Sequence, residues 1–362
     1  YTMKRAVLCV RDPHNYLDQL NNYSVMIVNP DAVESRQKYL LDHSDWSLLV
    51  RESGEEYRNG NDYGDERLFW YTSGTTGDSK FCSFTQAQLD LKLKQMQDAY
   101  QFTANDRYTG IMPLWHAHGQ TFFWLSRRVG FEAHFITAKD LRYMPEHAPT
   151  FVTAIPDVLR TILNLNFEHL RFVRSASAPM NNDLYQALQS RFQVPVLESF
   201  GMTETLSHCF TNPLHGEQRI GTVGLPDGVE ADIREGHLWL RGATICHTGW
   251  FDTGDLADQD SAGYYRILGR SKDQINIRGI KINPASLERQ LLATVPAVGD
   301  CAIFGSDTVK CLYTGDVDPA IIRNFLTSLG SYCRPQVLQK IDAIPVSPPI
   351  GKVSRSWLNE RY

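Results

Sequence analysis

Short, wholly apolar runs alternate along this chain with longer stretches in which hydrophobic side chains recur every three or four residues. Ala6–Val10, Val25–Val28, Trp46–Val50, Leu68–Tyr71, Phe151–Ile155, Arg171–Ser175 and Val194–Phe200 have strand length and β-rich composition, which predicts buried strands. Helices are predicted between them. Thr85 and Gln88 form a capping-box pair ahead of Leu89, Leu93, Met96 and Tyr100, which fall at i, i+4, i+7 and i+11 on one helical face. Strands alternating with such helices predict α/β layers.

After Gly221 the pattern changes. GTVGLPDG, HLWLRG and GYYRILGR are short strands punctuated by glycine, as in β-hairpins or a small barrel. At GRSKDQ, Gly269 to Gln274, a strand ends in small and charged residues and a new α+β pattern begins. There Asn283 can cap a helix, Pro284 suits its first position, and Leu287 and Leu291 lie four apart on one face. The expected organisation is a large amino-terminal domain over residues 1–270, with layered α/β sheets and a small β-barrel-like part. A small α+β carboxy-terminal domain over residues 271–362 follows.

With 362 residues of which 42% are hydrophobic, the chain can bury one large core and a smaller second one. The net charge of −5 gives no electrostatic reason to expect nucleic acid or an anionic membrane surface as partner. Seven cysteines, odd in number, scattered and without a CxxC pair, indicate neither a disulfide framework nor a zinc site, and fit a reducing, cytoplasmic setting. No apolar run approaches the roughly 20 residues of a membrane span, and the apolar part of YTMKRAVLCV is too short for a signal peptide. These features point to a soluble protein acting on small molecules.

Candidate chemistry starts at YTSGTTGDSK, Tyr71 to Lys80, between a strand and the capping-box helix. Gly74 and Gly77 permit backbone geometries that expose successive N–H groups, Ser73, Thr75 and Thr76 add hydroxyl donors, and Lys80 adds charge, which together suit phosphate oxygens. The P-loop pattern GxxxxGK[ST] is excluded, because it would need glycine at 79 and Ser or Thr at 81, where Ser79 and Phe81 stand. By itself such a loop can equally be an ordinary polar turn.

Further segments follow in order: SASAPM (Ser175–Met180), FGMTET (Phe200–Thr205), WFDTGD (Trp250–Asp255), GRSKDQINIRGIKINPASLE (Gly269–Glu288) and PPIGKVSR (Pro348–Arg355). With the loop at 71, this series resembles the adenylate-forming superfamily of acyl- and aryl-CoA ligases, luciferases and nonribosomal adenylation domains. The resemblance implies ATP and Mg²⁺ as cofactors. It implies a phosphate loop of Thr72, Ser73, Gly74, Thr75, Thr76, Gly77 and Lys80, and an adenine-side segment containing Ser177, Ala178 and Pro179. Ser199, Phe200, Gly201 and Met202 would line the nucleotide, with Phe200 against adenine; Thr203 would contact the α-phosphate and Glu204 would hold Mg²⁺. Asp255, Ile267 and Arg270 would hold ribose and phosphate, and Lys352 would bridge the acyl carboxylate and the nucleotide. The resemblance also implies that the carboxy-terminal domain is mobile, with Lys272 at its hinge and Gly279 beside a thiol channel.

The implied reaction makes physical sense. A carboxylate delocalises its charge and is a poor electrophile, so a thioester-forming enzyme first gives it AMP as a leaving group, and catalysis rests on positioning and on neutralising anionic oxygens. MPLWHAHGQTFF resembles the family's PLFHxxG segment, which makes His116 a contact of the acid and leaves His118 as structural. Phe122, Phe123, Ile155, Ser199, Met202, Ser207 and His208 are further candidates to line the acid pocket. Their mixture suggests an aromatic acid such as a hydroxybenzoate, with a short or medium acyl acid or an amino acid as alternative; the aspartate expected for an amino-acid ammonium is not found. The acceptor would be coenzyme A or the phosphopantetheine arm of a carrier protein acting in trans. Departures from the family pattern are Ser79-Lys80-Phe81 in place of Pro-Lys-Gly, Gln86 in place of histidine, and a shortened amino-terminal region. They keep open a degenerate, non-catalytic nucleotide-binding protein.

Overall fold

The computed structural model describes residues 4–9, 23–27, 48–51, 56–58, 66–72, 80–112, 116–345 and 353–362, by backbone alone up to residue 81 and at Ser83. Packing divides the chain into two units, Tyr1–Glu230 with Arg241–Trp250, and Ala231–Leu240 with Phe251–Tyr362. The boundary expected at residue 270 is drawn from a hinge rather than from packing.

In the first unit, β1 (Lys4–Cys9), β2 (Tyr23–Ile27), β3 (Leu48–Arg51) and β4 (Glu56–Arg58) form a sheet of order β2-β1-β3-β4. An antiparallel pair, β5 (Glu66–Thr72) and β6 (Lys80–Thr85), leads into α1 (Gln86–Tyr100). Thr85 caps α1, and its capping box with Gln88 is formed on both sides.

The larger sheet contains β7 (Arg107–Gly110), β8 (Glu132–Phe135), β9 (Phe151–Ala154), β10 (Phe172–Ser175), β11 (Val196–Phe200), β12 (Phe210–Thr211) and β13 (Leu225–Pro226), in the order β13-β12-β11-β10-β9-β7-β8. Pairing from β8 to β11 is parallel, and β12 and β13 add antiparallel edges. Its crossovers run through α2 (Ala117–Val129), α3 (Pro156–Ile162) and α4 (Asn182–Phe192). An aromatic ladder fixes the register: Tyr108 stacks on Phe151 at 5.2 Å, and Phe151 on Phe172 at 5.4 Å, each opposite the other in the pairing. Tyr100 of α1 stacks on Phe172 at 5.5 Å, so the capped helix closes over the ladder.

The second unit begins with a sheet of β14 (Glu230–Arg234), β15 (His237–Arg241), β16 (Phe251–Gln259) and β17 (Tyr265–Arg270). A hairpin of β18 (Ile275–Ile277) and β19 (Ile280–Ile282) precedes α5 (Pro284–Thr294), which Asn283 caps by accepting the Ser286 N–H. β20 (Val298–Phe304), β21 (Val309–Gly315), α6 (Pro319–Ser328), β22 (Pro335–Lys340) and α7 (Arg355–Asn359) complete it. Leu287 and Leu291 of α5 enter a core with Ile275, Ile303, Cys311 and Leu326. Among the described residues, no helix is long and apolar enough to cross a membrane.

Candidate active site

Four segments of the first unit leave the carboxyl ends of adjacent parallel strands: His116 follows β7, Ile155 follows β9, Ser177–Pro179 follow β10 and Phe200–Glu204 follow β11. Ligands of open parallel α/β sheets bind at that edge. Residues 73–79, 113–115 and 346–352 lie outside the described residues, and with them Ser73, Gly74, Thr75, Thr76, Gly77 and Lys352. Thr72 and Lys80 end the paired strands β5 and β6, opposite each other.

His116 is the N-cap of α2, and its Nδ1 accepts the His118 N–H at 3.3 Å, so a neutral ring carries its proton on Nε2. His118 is buried and bonds Thr153 at 3.0 Å through Nε2. Ser177 adopts φ 71, a left-handed conformation uncommon for a non-glycine residue. Ser199 donates to the Ser175 carbonyl at 3.1 Å and ties the starts of the two loops together.

The FGMTET segment folds into a single 3-10 turn over Thr203–Thr205, tied by the Thr205 hydroxyl to the Met202 backbone. Phe200 packs edge-on against Phe210 at 6.0 Å. Gly201 has to be glycine for space, since a Cβ there would lie 2.1 Å from the Ser207 carbonyl oxygen. Glu204 is 7% exposed, yet its carboxylate accepts no hydrogen bond and pairs with no cation among the described residues. A carboxylate that no donor or cation among the described residues holds is available as an oxygen ligand, which fits a hard metal ion. Among the described residues no group of three His, Cys, Asp or Glu gathers as a metal cage. An ion here would take its remaining ligands from phosphate and water.

In the second unit, Asp255 and Arg270 face each other across β16 and β17, with Nε to Oδ1 at 2.8 Å, and Asp255 is buried. Ile267 lies on the same strand as Arg270. Lys272 sits in the 3-10 turn Ser271–Asp273. Gly279 tips the β18–β19 hairpin at φ +90 with open space around its Cα.

Not all acid-pocket candidates stand on the sheet edge. Phe122 is fully buried against Tyr108, Phe102 and Phe151, and Phe123 is buried beside Phe135. His208 is fully buried: its Nε2 meets Asp227 at 2.6 Å and its Nδ1 faces Arg174 Nη2 at 3.4 Å. Arginine can only donate, so Nδ1 accepts and Nε2–H donates to the carboxylate. Burial drives the His208 pKa down to about 4 against the opposing pull of Asp227. Ile155, Met202 and Ser207 are half-buried at the edge itself.

Sequence reasoning missed the charges beneath these loops. Glu198, one residue before Ser199, is buried, and its Oε1 accepts the Gly221 N–H at 2.8 Å. Burial pushes its pKa up to about 7, against the Gly221 and Met180 N–H groups. Lys92 and Arg174 are almost wholly buried. Their signal was available: each is a cation inside a pattern read as apolar, Lys92 beside Leu89 and Leu93 and Arg174 within a buried strand.

A family model described as AMP-binding enzyme matches residues 25–245. Sulfoacetate-CoA ligase from Cupriavidus necator is 29% identical over 335 residues, 80% of this chain and 65% of that protein. Oxalate-CoA ligase from Arabidopsis thaliana is 31% identical over 351 residues, 81% of this chain and 67% of that protein. The chain thus spans about two thirds of the length of these curated relatives. The fold is similar to that of O-succinylbenzoate coenzyme A synthetase from Bacillus subtilis in complex with ATP and magnesium ion, with a TM-score of 0.81 at 20% identity over 98% of this chain and 89% of that one.

Proposed function

This chain belongs to the AMP-binding enzyme family, and from that premise we propose that it joins a carboxylic acid to the α-phosphorus of ATP, releases pyrophosphate, and passes the acyl group to a thiol. The observation that carries the reading is the sheet edge where His116, Ser177–Pro179 and Phe200–Glu204 emerge together, with the Glu204 carboxylate held by no donor or cation among the described residues.

Phe200 offers its open face to adenine, Thr203 offers its hydroxyl to the α-phosphate, and Asp255 accepts ribose hydroxyl protons while Arg270 faces phosphate. Glu204 would hold Mg²⁺, which neutralises phosphate oxygens when bound. His116 presents Nε2–H to the acid carboxylate. Lys352 brings that carboxylate and the nucleotide, two mutually repelling anions, into reach of each other. The segment after Lys272 turns between the half-reactions, and Gly279 lies beside the thiol, for which coenzyme A is the acceptor suggested by the relatives' names.

Sulfoacetate and oxalate are small acids with a second acidic group. Phe122 and Phe123, two of the candidates whose mixture suggested an aromatic acid, are packed in the core, which favours the small polar acid over a hydroxybenzoate.

Acid-dependent exchange of labelled pyrophosphate into ATP tests the reading across oxalate, malonate, sulfoacetate, hydroxybenzoates and amino acids. A chain that binds ATP but supports no exchange with any acid is the degenerate binding protein instead. Lys352→Ala should cut exchange by at least about 10²-fold while thiol transfer from supplied acyl-adenylate survives. Gly279→Trp should do the reverse; equal loss of both half-reactions in either variant overturns the assigned roles.

A further inference from the structure

We propose that Lys92, a residue of α1 that belongs to none of the nucleotide motifs, is a positioning residue that holds the Thr203–Glu204 turn in its metal- and phosphate-binding shape. The proposal rests on the reading of Thr203 and Glu204 given above.

The turn cannot keep its shape unaided. Directly after Thr205 the chain reverses through Leu206 at φ 53 and Ser207 at φ 70, two non-glycine residues in succession in the left-handed region. Each such residue costs on the order of 1–2 kcal/mol. Locally the reversal is closed by Leu206 N–H to the Thr203 carbonyl at 3.2 Å and Ser207 N–H to the Met202 carbonyl at 2.9 Å. Its exit is pinned from outside: Lys92 Nζ donates to the His208 carbonyl at 2.7 Å, across a separation of 116 residues. Thr121 of α2 reaches the Leu206 carbonyl at 3.5 Å.

The pin is itself braced. The His208 ring lies between Asp227 and Arg174, and Arg174 donates to the Tyr100 hydroxyl at 2.7 Å and to Thr153 at 3.0 Å. Tyr100 in turn bonds Thr211 at 2.9 Å. Lys92 therefore fixes the backbone of His208 while Asp227 and Arg174 fix its ring. The position of Ser207 matters because its carbonyl oxygen occupies the space a side chain at residue 201 would need. Moving His208 moves Ser207, and with it the packing under Gly201, Met202 and Thr203.

What favours a lysine here is its bond to the His208 carbonyl, set against the cost of burying a charge. Lys92 is 0% exposed and forms no ion pair among the described residues. Burial lowers its pKa to about 8, so the charged form is penalised by the fold that surrounds it. A methionine of similar length would remove that penalty and fill the same space on an apolar helix face. What methionine cannot do is hold the His208 carbonyl.

Lys92→Met separates the two roles. The expected result is a Tm little changed, because relief of the buried charge and loss of the bond to the His208 carbonyl oppose each other, together with a roughly tenfold rise in the Mg²⁺ concentration that half-saturates pyrophosphate exchange and a similar rise in the calorimetric Kd for MgATP. Lys92→Gln, which keeps a donor, should recover part of both. A variant that fails to fold, that loses Tm and activity together with its Mg²⁺ dependence unchanged, or that binds MgATP as the parent does, overturns the proposal. The parent protein keeps the two readings apart: if it shows no exchange with any acid, the proposed function fails, whereas normal parental exchange with an unaltered Lys92→Met defeats this inference alone.

Discussion

Glu198 shows what a single buried charge does to this molecule. Its carboxyl is raised by burial from the ordinary 4.5 to about 7, so between those values the folded chain holds a proton that the unfolded chain has released. Stability from this group is therefore fully present below about pH 4.5 and declines as the pH rises through 7. Glu198→Gln keeps an acceptor for the Gly221 N–H and removes the buried charge. It should raise stability at pH 8 by on the order of 2–3 kcal/mol, with the difference vanishing near pH 4.5. Paired denaturation curves of parent and variant check this. The parental profile alone does not, because His208, with its pKa lowered to about 4, contributes the opposite slope by losing stability as the pH falls below 6.5.

At the scale of elements, the site depends on strand ends and on the tightness of the turns that leave them. The turn after β11 brings Gly201 against the Ser207 carbonyl. Gly201→Ala should destabilise by about 1–3 kcal/mol through forced displacement of the 206–208 reversal. It should also weaken MgATP binding, since the displaced backbone carries Thr203 and Glu204; a variant with lowered Tm but parental Kd would show that the turn relaxes away from the site. The hairpin of β16 and β17 works by register instead. Asp255 and Arg270 lie fifteen residues apart along the chain and opposite each other in the pairing, so one turn is enough to unite them.

Across the whole chain, the second unit anchors its own end. Arg355 donates to Glu288 at 2.6 Å, to Asp273 at 3.4 Å and to the Ile303 carbonyl at 2.9 Å, while Glu288 accepts the Ile303 N–H at 2.6 Å. The pair stands along the open edge of β20 where another strand would bond, and Leu358 packs beside it against Phe304 and Leu312. Arg355→Met should leave Leu358 in place but free the ionic anchor. Amide hydrogen exchange over residues 355–359 should accelerate by about tenfold or more, with exchange in α5 little changed. Equal acceleration in both helices would mean that the anchor supports the entire unit.

The order of motifs was readable in the amino-acid sequence, and so were the capped helices at Thr85 and Asn283, because a cap depends on residues close together along the chain. Which charges lie inside was decided only by the tertiary structure. Lys92 meets His208 across 116 residues, and His208 is captured by Asp227 and Arg174, so a residue expected at the acid pocket has both ring nitrogens engaged in the interior. Phe122 and Phe123 turned to the core for the same reason: burial depends on what packs above a helix, and spacing along one helix cannot specify that.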